Sequence, residues 1–160
     1  MNSLVKEARA ASIVAWGCLV VTLLVTDRIT TDPVNLSKQL ALSAFAFSLI
    51  PFLLNKRESL SSERKYLYIA IGLFLIAALI SVFLSKNAFE RGLYGSFGRN
   101  TGFLTYFSLV IFLLIVSRFN NEESFKKLLK FFVVASLLNV IYSIAAYNGY
   151  DLFTWANPYD

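Results

Sequence analysis

The sequence predicts an all-α, polytopic membrane helix bundle. Three observations carry that reading. The chain of 160 residues is 57% hydrophobic, with a mean hydropathy of +0.61, well above an ordinary soluble domain. Its charges are confined to gaps between long apolar runs. Five charge-free stretches result: Ala10 to Thr26, Gln39 to Asn55, Tyr66 to Ser85, Asn100 to Ser117 and Phe131 to Tyr150, running 17, 17, 20, 18 and 20 residues. A helix crossing a bilayer needs roughly 20 apolar residues, with about 17 as the lower limit. All five are therefore expected to span, as a single transmembrane domain over residues 1–160. A buried helical core is the competing explanation, but it would leave too little polar surface to cover a soluble globule.

Charge placement orients the bundle. Lys6, Arg9, Lys56, Arg57, Arg64, Lys65, Arg118, Lys126, Lys127 and Lys130 fall on one side. Arg28, Lys38, Lys86, Arg91 and Arg99 fall on the other. The positive-inside rule then places the N-terminus in the cytoplasm and the C-terminus outside. The basic residues border spans rather than forming one face, so no nucleic acid is expected as a partner.

The first run follows a basic tail, as a signal peptide would. However, Val25-Thr26-Asp27 is a poor small-residue cleavage site, and a retained helix is simpler. Cys18, the single cysteine, lies inside that run and reads as a small apolar filler. The loop from Asp27 to Lys38 carries Asp27 and Asp32. External acidic residues can bind a divalent metal, but the spacing here is not Asp-x-Asp and an Asp-Pro turn accounts for the second. The chain has no histidine. That excludes a Ser-His-Asp triad, a histidine base and any His-ligated metal within it.

The second run holds Pro51 near its inner end, where it removes one helical hydrogen bond. Asn55 to Lys65 reads as a cytoplasmic loop at the lipid headgroups. The third run carries Gly72, Ala77, Ala78 and Ser81, a small-residue strip suited to a packed neighbour. Before the fifth run, Phe125, Leu128, Leu129 and Phe132 interleave with Lys126, Lys127 and Lys130, so that helix is expected to begin amphipathic. Within it, Asn139 reads as an interhelical hydrogen-bonding residue or, as an intramembrane polar group, a functional candidate.

The most informative stretch lies before the fourth run. Gly92, Gly95, Gly98 and Gly102, four of the seven glycines, fall within eleven residues. Glycine lets a ligand approach the backbone, and a helix start offers free N–H groups and a partial positive charge. Arg99 does not fit helix stability, because a cation opposes the dipole there. An anion shared by its guanidinium and the free N–H groups would explain it. The alternative is an interfacial cation that snorkels. Glu90 could act as a general base or as a partner for a loop arginine; with Arg91, it also reads as a solvated surface charge.

The run Tyr94-Gly95-Ser96-Phe97-Gly98-Arg99-Asn100-Thr101-Gly102-Phe103-Leu104-Thr105-Tyr106, with an aromatic tail containing Trp155 and Asn157-Pro158, resembles the N-terminal portion of the O-antigen ligase and polymerase family. These are polytopic bacterial glycosyltransferases of the GT-C type. The family's pattern is Gly-Arg, two variable residues, Gly, an apolar residue and often a tyrosine; Gly98, Arg99, Gly102 and Tyr106 match it. The resemblance covers roughly residues 66–160, and the earlier spans only by helix count.

The resemblance implies transfer of a glycan from undecaprenyl pyrophosphate to a glycan acceptor at the external face of the bacterial inner membrane. It implies a lipid-bilayer setting, no cofactor and no metal. It implies pyrophosphate binding by Arg99, Gly98, Gly102, Asn100 and Thr101. The family's later external loop, with its catalytic histidine, has no counterpart in this sequence. The chain is therefore expected to be the N-terminal portion of a longer enzyme, inactive alone, with its catalytic residues unknown. The competing class is a non-enzymatic membrane protein such as a transporter or lipid-glycan flippase fragment. Transporters place polar groups near the midplane, whereas the polar focus here lies at the outer interface.

Overall fold

A computed structural model describes residues 3–26, 34–54, 62–86, 88–96 and 99–150. These residues form six helices: α1 Ser3–Leu23, α2 Asn35–Leu54, α3 Ser62–Leu84, α4 Phe89–Tyr94, α5 Phe103–Val116 and α6 Glu122–Tyr147. Among the described residues there is no strand. Apolar composition explains the helices directly. In hydrocarbon every backbone polar group must find a partner within its own segment, and a helix does that locally.

Three helices are long and apolar enough to cross a membrane: α2, α3 over Arg64–Leu84, and α6. Helix α1 has 21 residues, but Lys6, Glu7 and Arg9 occupy its first third. Helix α5 has 14 residues, giving about 21 Å at 1.5 Å per residue, against a hydrocarbon core of about 30 Å. The expected fourth run, Asn100 to Ser117, is thus trimmed at both ends. The other helices extend into polar flanks, because helical hydrogen bonding continues where apolar residues stop. Helix α6 begins at its cap Asn121, whose Oδ1 accepts from Glu123 N at 3.0 Å. Glu122 and Glu123 then occupy its first turn, where the dipole favours acids. The expected amphipathic start is present: Phe125, Leu129 and Phe132 are exposed beside exposed Lys126 and Lys130.

The helices form a row in the order α6, α1, α2, α5, α3. Helices α1 and α6 run in the same direction. Glu7 Oε1 accepts from Asn120 N and Asn121 N at 3.0 and 2.8 Å, Lys127 Nζ donates to Ser12 Oγ at 2.6 Å, and Trp16 meets Phe131 edge-on at 5.1 Å. Helix α2 runs opposite to α1, with Ser37 Oγ hydrogen-bonded to Thr26 Oγ1 just beyond the α1 terminus. The core lies between them, where Ala10 and Val14 pack on Ala46 and Leu49 and α5 adds Ile111 and Ile115.

Helices α2 and α5 run parallel, tied by Ser108 Oγ to Ser43 Oγ at 3.3 Å and by Arg118 Nη1 to the Leu53 carbonyl at 2.9 Å. Pro51 is accommodated one turn from the end of α2, within the helix. Helix α3 runs opposite to α5: Tyr68 accepts from Arg118 Nε at 3.3 Å, and Phe74 meets Tyr106 at 5.9 Å. The strip at Gly72, Ala77, Ala78 and Ser81 meets no described neighbour of the expected kind. A side chain built at Gly72 would touch nothing within 4 Å, and Ala77 and Ser81 are exposed.

Candidate functional site

The glycine-rich stretch folds as a helix, a turn and a second helix. The glycines between the third and fourth apolar runs suggest a loop, but Phe89–Tyr94 form α4, with Glu90 in the first turn. The apolar residues Phe89 and Leu93, one turn apart, were the available signal. Phe89 packs on Phe83 of α3 at 5.6 Å, which fixes α4 across the end of that helix.

Gly95 ends α4 with φ +95°, and its N–H reaches back to the Arg91 carbonyl at 2.9 Å. That backbone conformation favours glycine. Gly102 caps α5 with extended backbone, which any residue adopts, so conformation does not demand glycine there. Packing does. A Cβ on Gly102 would come within 3.0 Å of Gly95 N, Leu93 O and Tyr94 C, and one on Gly95 would press on Thr101 N, Asn100 C and Gly102 N. Close approach of the chain to itself therefore accounts for both glycines. Of the residues expected to hold pyrophosphate, Gly102 is buried in this corner, while Arg99 and Thr101 are exposed and Asn100 is half-buried. Gly98 lies outside the described residues, as do Asp27 and Asp32 in the earlier loop and the tail from residue 151.

Arg99 sits in the turn between the helices, its N–H donating to Ser96 O at 3.1 Å. Asn100 N shares that carbonyl at 3.0 Å, and Asn100 adopts φ +47°, a conformation asparagine tolerates better than most residues. The Asn100 carbonyl accepts from Thr105 Oγ1 at 2.7 Å. The turn is thereby fastened to the first turn of α5. No side chain caps that helix start, and the first N–H groups of a helix have no acceptor of their own within it. Among the described residues neither Arg99 nor Glu90 forms an ion pair, and no group of three acidic or cysteine side chains is placed to hold a metal ion. Arg99 also lies three residues ahead of the α5 cap rather than on the helix itself.

One polar residue beneath this corner was missed in the sequence. Gln39 is 4% exposed. Its Nε2 donates to the Tyr94 carbonyl at 3.2 Å, which ties α2 to the last residue of α4. Its Oε1 is buried without a partner among the described residues. The available signal was its position as a polar residue opening an apolar run. It stands on the same face of α2 as Ser43, whose hydroxyl meets Ser108 of α5. Together they form a buried polar seam leading inward from the corner.

Comparison with known families, curated proteins and solved structures yields no match. The described residues define the class: an all-helical arrangement with helices suited to a membrane, and a turn presenting an arginine that forms no ion pair among them, ahead of a helix start that no side chain caps.

Proposed function

We propose that this chain is a five-span membrane protein of the bacterial inner membrane, with its N-terminus in the cytoplasm and its C-terminus outside. In this reading it forms part of an O-antigen ligase-like glycosyltransferase. Its role is to bind the pyrophosphate of an undecaprenyl-linked glycan at the external face, before transfer to a glycan acceptor. The alternating directions of α1, α2, α3, α5 and α6 support the five-span arrangement, with α5 reaching the outer surface through the turn that precedes it. The observation that carries the binding site is the corner itself: Arg99 is exposed and unpaired among the described residues, and it stands just ahead of a helix start that no side chain caps.

The chemistry suits a pyrophosphate. As the glycosidic bond breaks, the leaving group gathers negative charge. A guanidinium and backbone N–H groups held in place before reaction stabilise that charge without reorganisation. The interlocked glycines hold the turn in place, backbone against backbone. Catalytic acid–base chemistry is not assigned to any residue of this chain.

The test is binding of undecaprenyl pyrophosphate to the full chain in lipid nanodiscs. Arg99→Ala should weaken it by about 10- to 100-fold, as loss of a charge-assisted contact of about 1.5–3 kcal/mol requires. Arg99→Lys should recover part, keeping the charge but losing the two-pronged geometry. Arg91→Ala should change it less than about twofold, as expected of an exposed charge. Equal binding by wild type and Arg99→Ala would remove the site from this corner.

A further inference from the structure

Two kinds of contact hold the corner that presents Arg99. Helix α4 packs on α3 and α5, with Phe89 against Phe83 and Gly92 close against Val82. Toward α2 the connection is polar: Gln39 Nε2 donates to the Tyr94 carbonyl at 3.2 Å. Tyr94 is the last residue of α4 and immediately precedes Gly95, whose backbone lies against Asn100, Thr101 and Gly102. The carbonyl that Gln39 holds is therefore next to the contact that closes the turn around Arg99.

Register brings the same side chain to the other limb of the corner. Ser43 of α2 meets Ser108 of α5, and the Leu53 carbonyl meets Arg118; each pair is 65 positions apart. That register sets Gln39 level with Leu104, in the first turn of α5. Gln39 thus works where α4 ends and α5 begins. Stability does not account for an amide at this place. Gln39 is 4% exposed, and the one hydrogen bond it gains is offset by Oε1, which is buried without a partner among the described residues. A leucine would fill similar space without that cost. It would not fix the direction of the Tyr94 carbonyl, because a hydrogen bond is directional and apolar packing is not.

We infer that Gln39 is a positioning residue for the pyrophosphate site proposed at this corner, an assignment that rests on that reading. It sets the depth and angle at which the corner offers Arg99 and the start of α5 to the anion.

The test compares Gln39→Leu with wild type in the full chain in lipid nanodiscs. On a Cys18→Ala background, nitroxides at Ser96 and Leu54, both exposed, report the corner against the inner end of α2. Nitroxides at Leu40 and Leu54 report α2 itself. Gln39→Leu should broaden the first distance distribution and leave the second unchanged, with an unfolding temperature close to wild type. It should weaken binding of undecaprenyl pyrophosphate by about 2- to 30-fold, the range of a coupling carried through a neighbouring residue. Gln39→Glu, once protonated at pH 5, regains a donor for the Tyr94 carbonyl and should recover both the narrow distribution and the binding. If Arg99→Ala weakens binding but Gln39→Leu changes neither distances nor binding, the positioning role is overturned while the site stands. If wild type and Arg99→Ala bind equally, the site itself is lost and Gln39's role toward this ligand with it. A loss of binding by Gln39→Leu that only follows a fall in unfolding temperature would also overturn the inference.

Discussion

Gly95 and Gly102 each occupy the space where the other's side chain would lie. The C-terminus of α4 thereby rests directly on the N-terminus of α5, backbone against backbone. This contact, more than any side chain, fixes where Arg99 is presented. Gly95→Ala meets both a left-handed backbone and a backbone clash. Gly102→Ala meets only the clash. At φ +95° and ψ 174° Gly95 sits in a region nearly confined to glycine, which costs an L-residue about 1–3 kcal/mol. The clash at Gly102 is the closer of the two, falling on Gly95 N, Leu93 O and Tyr94 C, and overpacking costs about 1–3 kcal/mol. Both substitutions should therefore lower the thermal unfolding temperature in detergent micelles, and an unchanged temperature for either would show that the corner yields there.

Gln39 should respond to substitution asymmetrically. Gln39→Leu loses one hydrogen bond to Tyr94 O but also removes a buried oxygen that lacks a partner. A hydrogen bond contributes about 0.5–1.5 kcal/mol and an orphaned buried polar atom costs about 1–3 kcal/mol, so the change should be close to neutral. Gln39→Glu places a carboxylate where there is no partner and should be strongly destabilising at pH 7. Its penalty should shrink as pH falls, because protonation removes the buried charge. Unfolding temperatures of both variants, at pH 7 and pH 5, test the pair.

At the opposite end of the bundle Arg118 joins three helices. It donates from α5's end to the Leu53 carbonyl of α2 and to the Tyr68 hydroxyl of α3. Arg118→Ala should destabilise by about 1–3 kcal/mol, since the side chain is half-exposed and water recovers part of its hydrogen bonding. Tyr68→Phe should cost less than about 1 kcal/mol, because the 3.3 Å bond is long. A Tyr68→Phe effect as large as that of Arg118→Ala, measured by the same unfolding assay, would mean that Arg118 works mainly through α3.

Topology is open to direct labelling. On a Cys18→Ala background, cysteines at Lys65 and Glu122 should react with an impermeant maleimide only after spheroplasts are permeabilised. Cysteines at Ser96 and Thr101, both exposed, should react in intact ones. The inverse pattern would place the Arg99 corner in the cytoplasm and remove the external donor from the proposal.

Sequence alone was enough for the helical class and for the approximate position of each long helix, since uninterrupted apolar runs between charged gaps leave the backbone no other way to satisfy itself in hydrocarbon. It also marked the glycines and Arg99 as the unusual stretch. Helix ends were another matter. Asn121 starts α6 ten residues before the apolar run does, and Gly102 starts α5 inside one, because capping and packing set the ends while hydropathy sees only composition. The short α4 was hidden by glycines that suggested a loop. The partnership of Gly95 with Gly102, the reach of Gln39 to Tyr94 and the span of Arg118 from Leu53 to Tyr68 join residues 7 to 65 positions apart. No local pattern encodes such distances. They exist only once the row of helices has formed, and it is the backbone contact of two glycines that turns a flexible-looking sequence into a fixed corner.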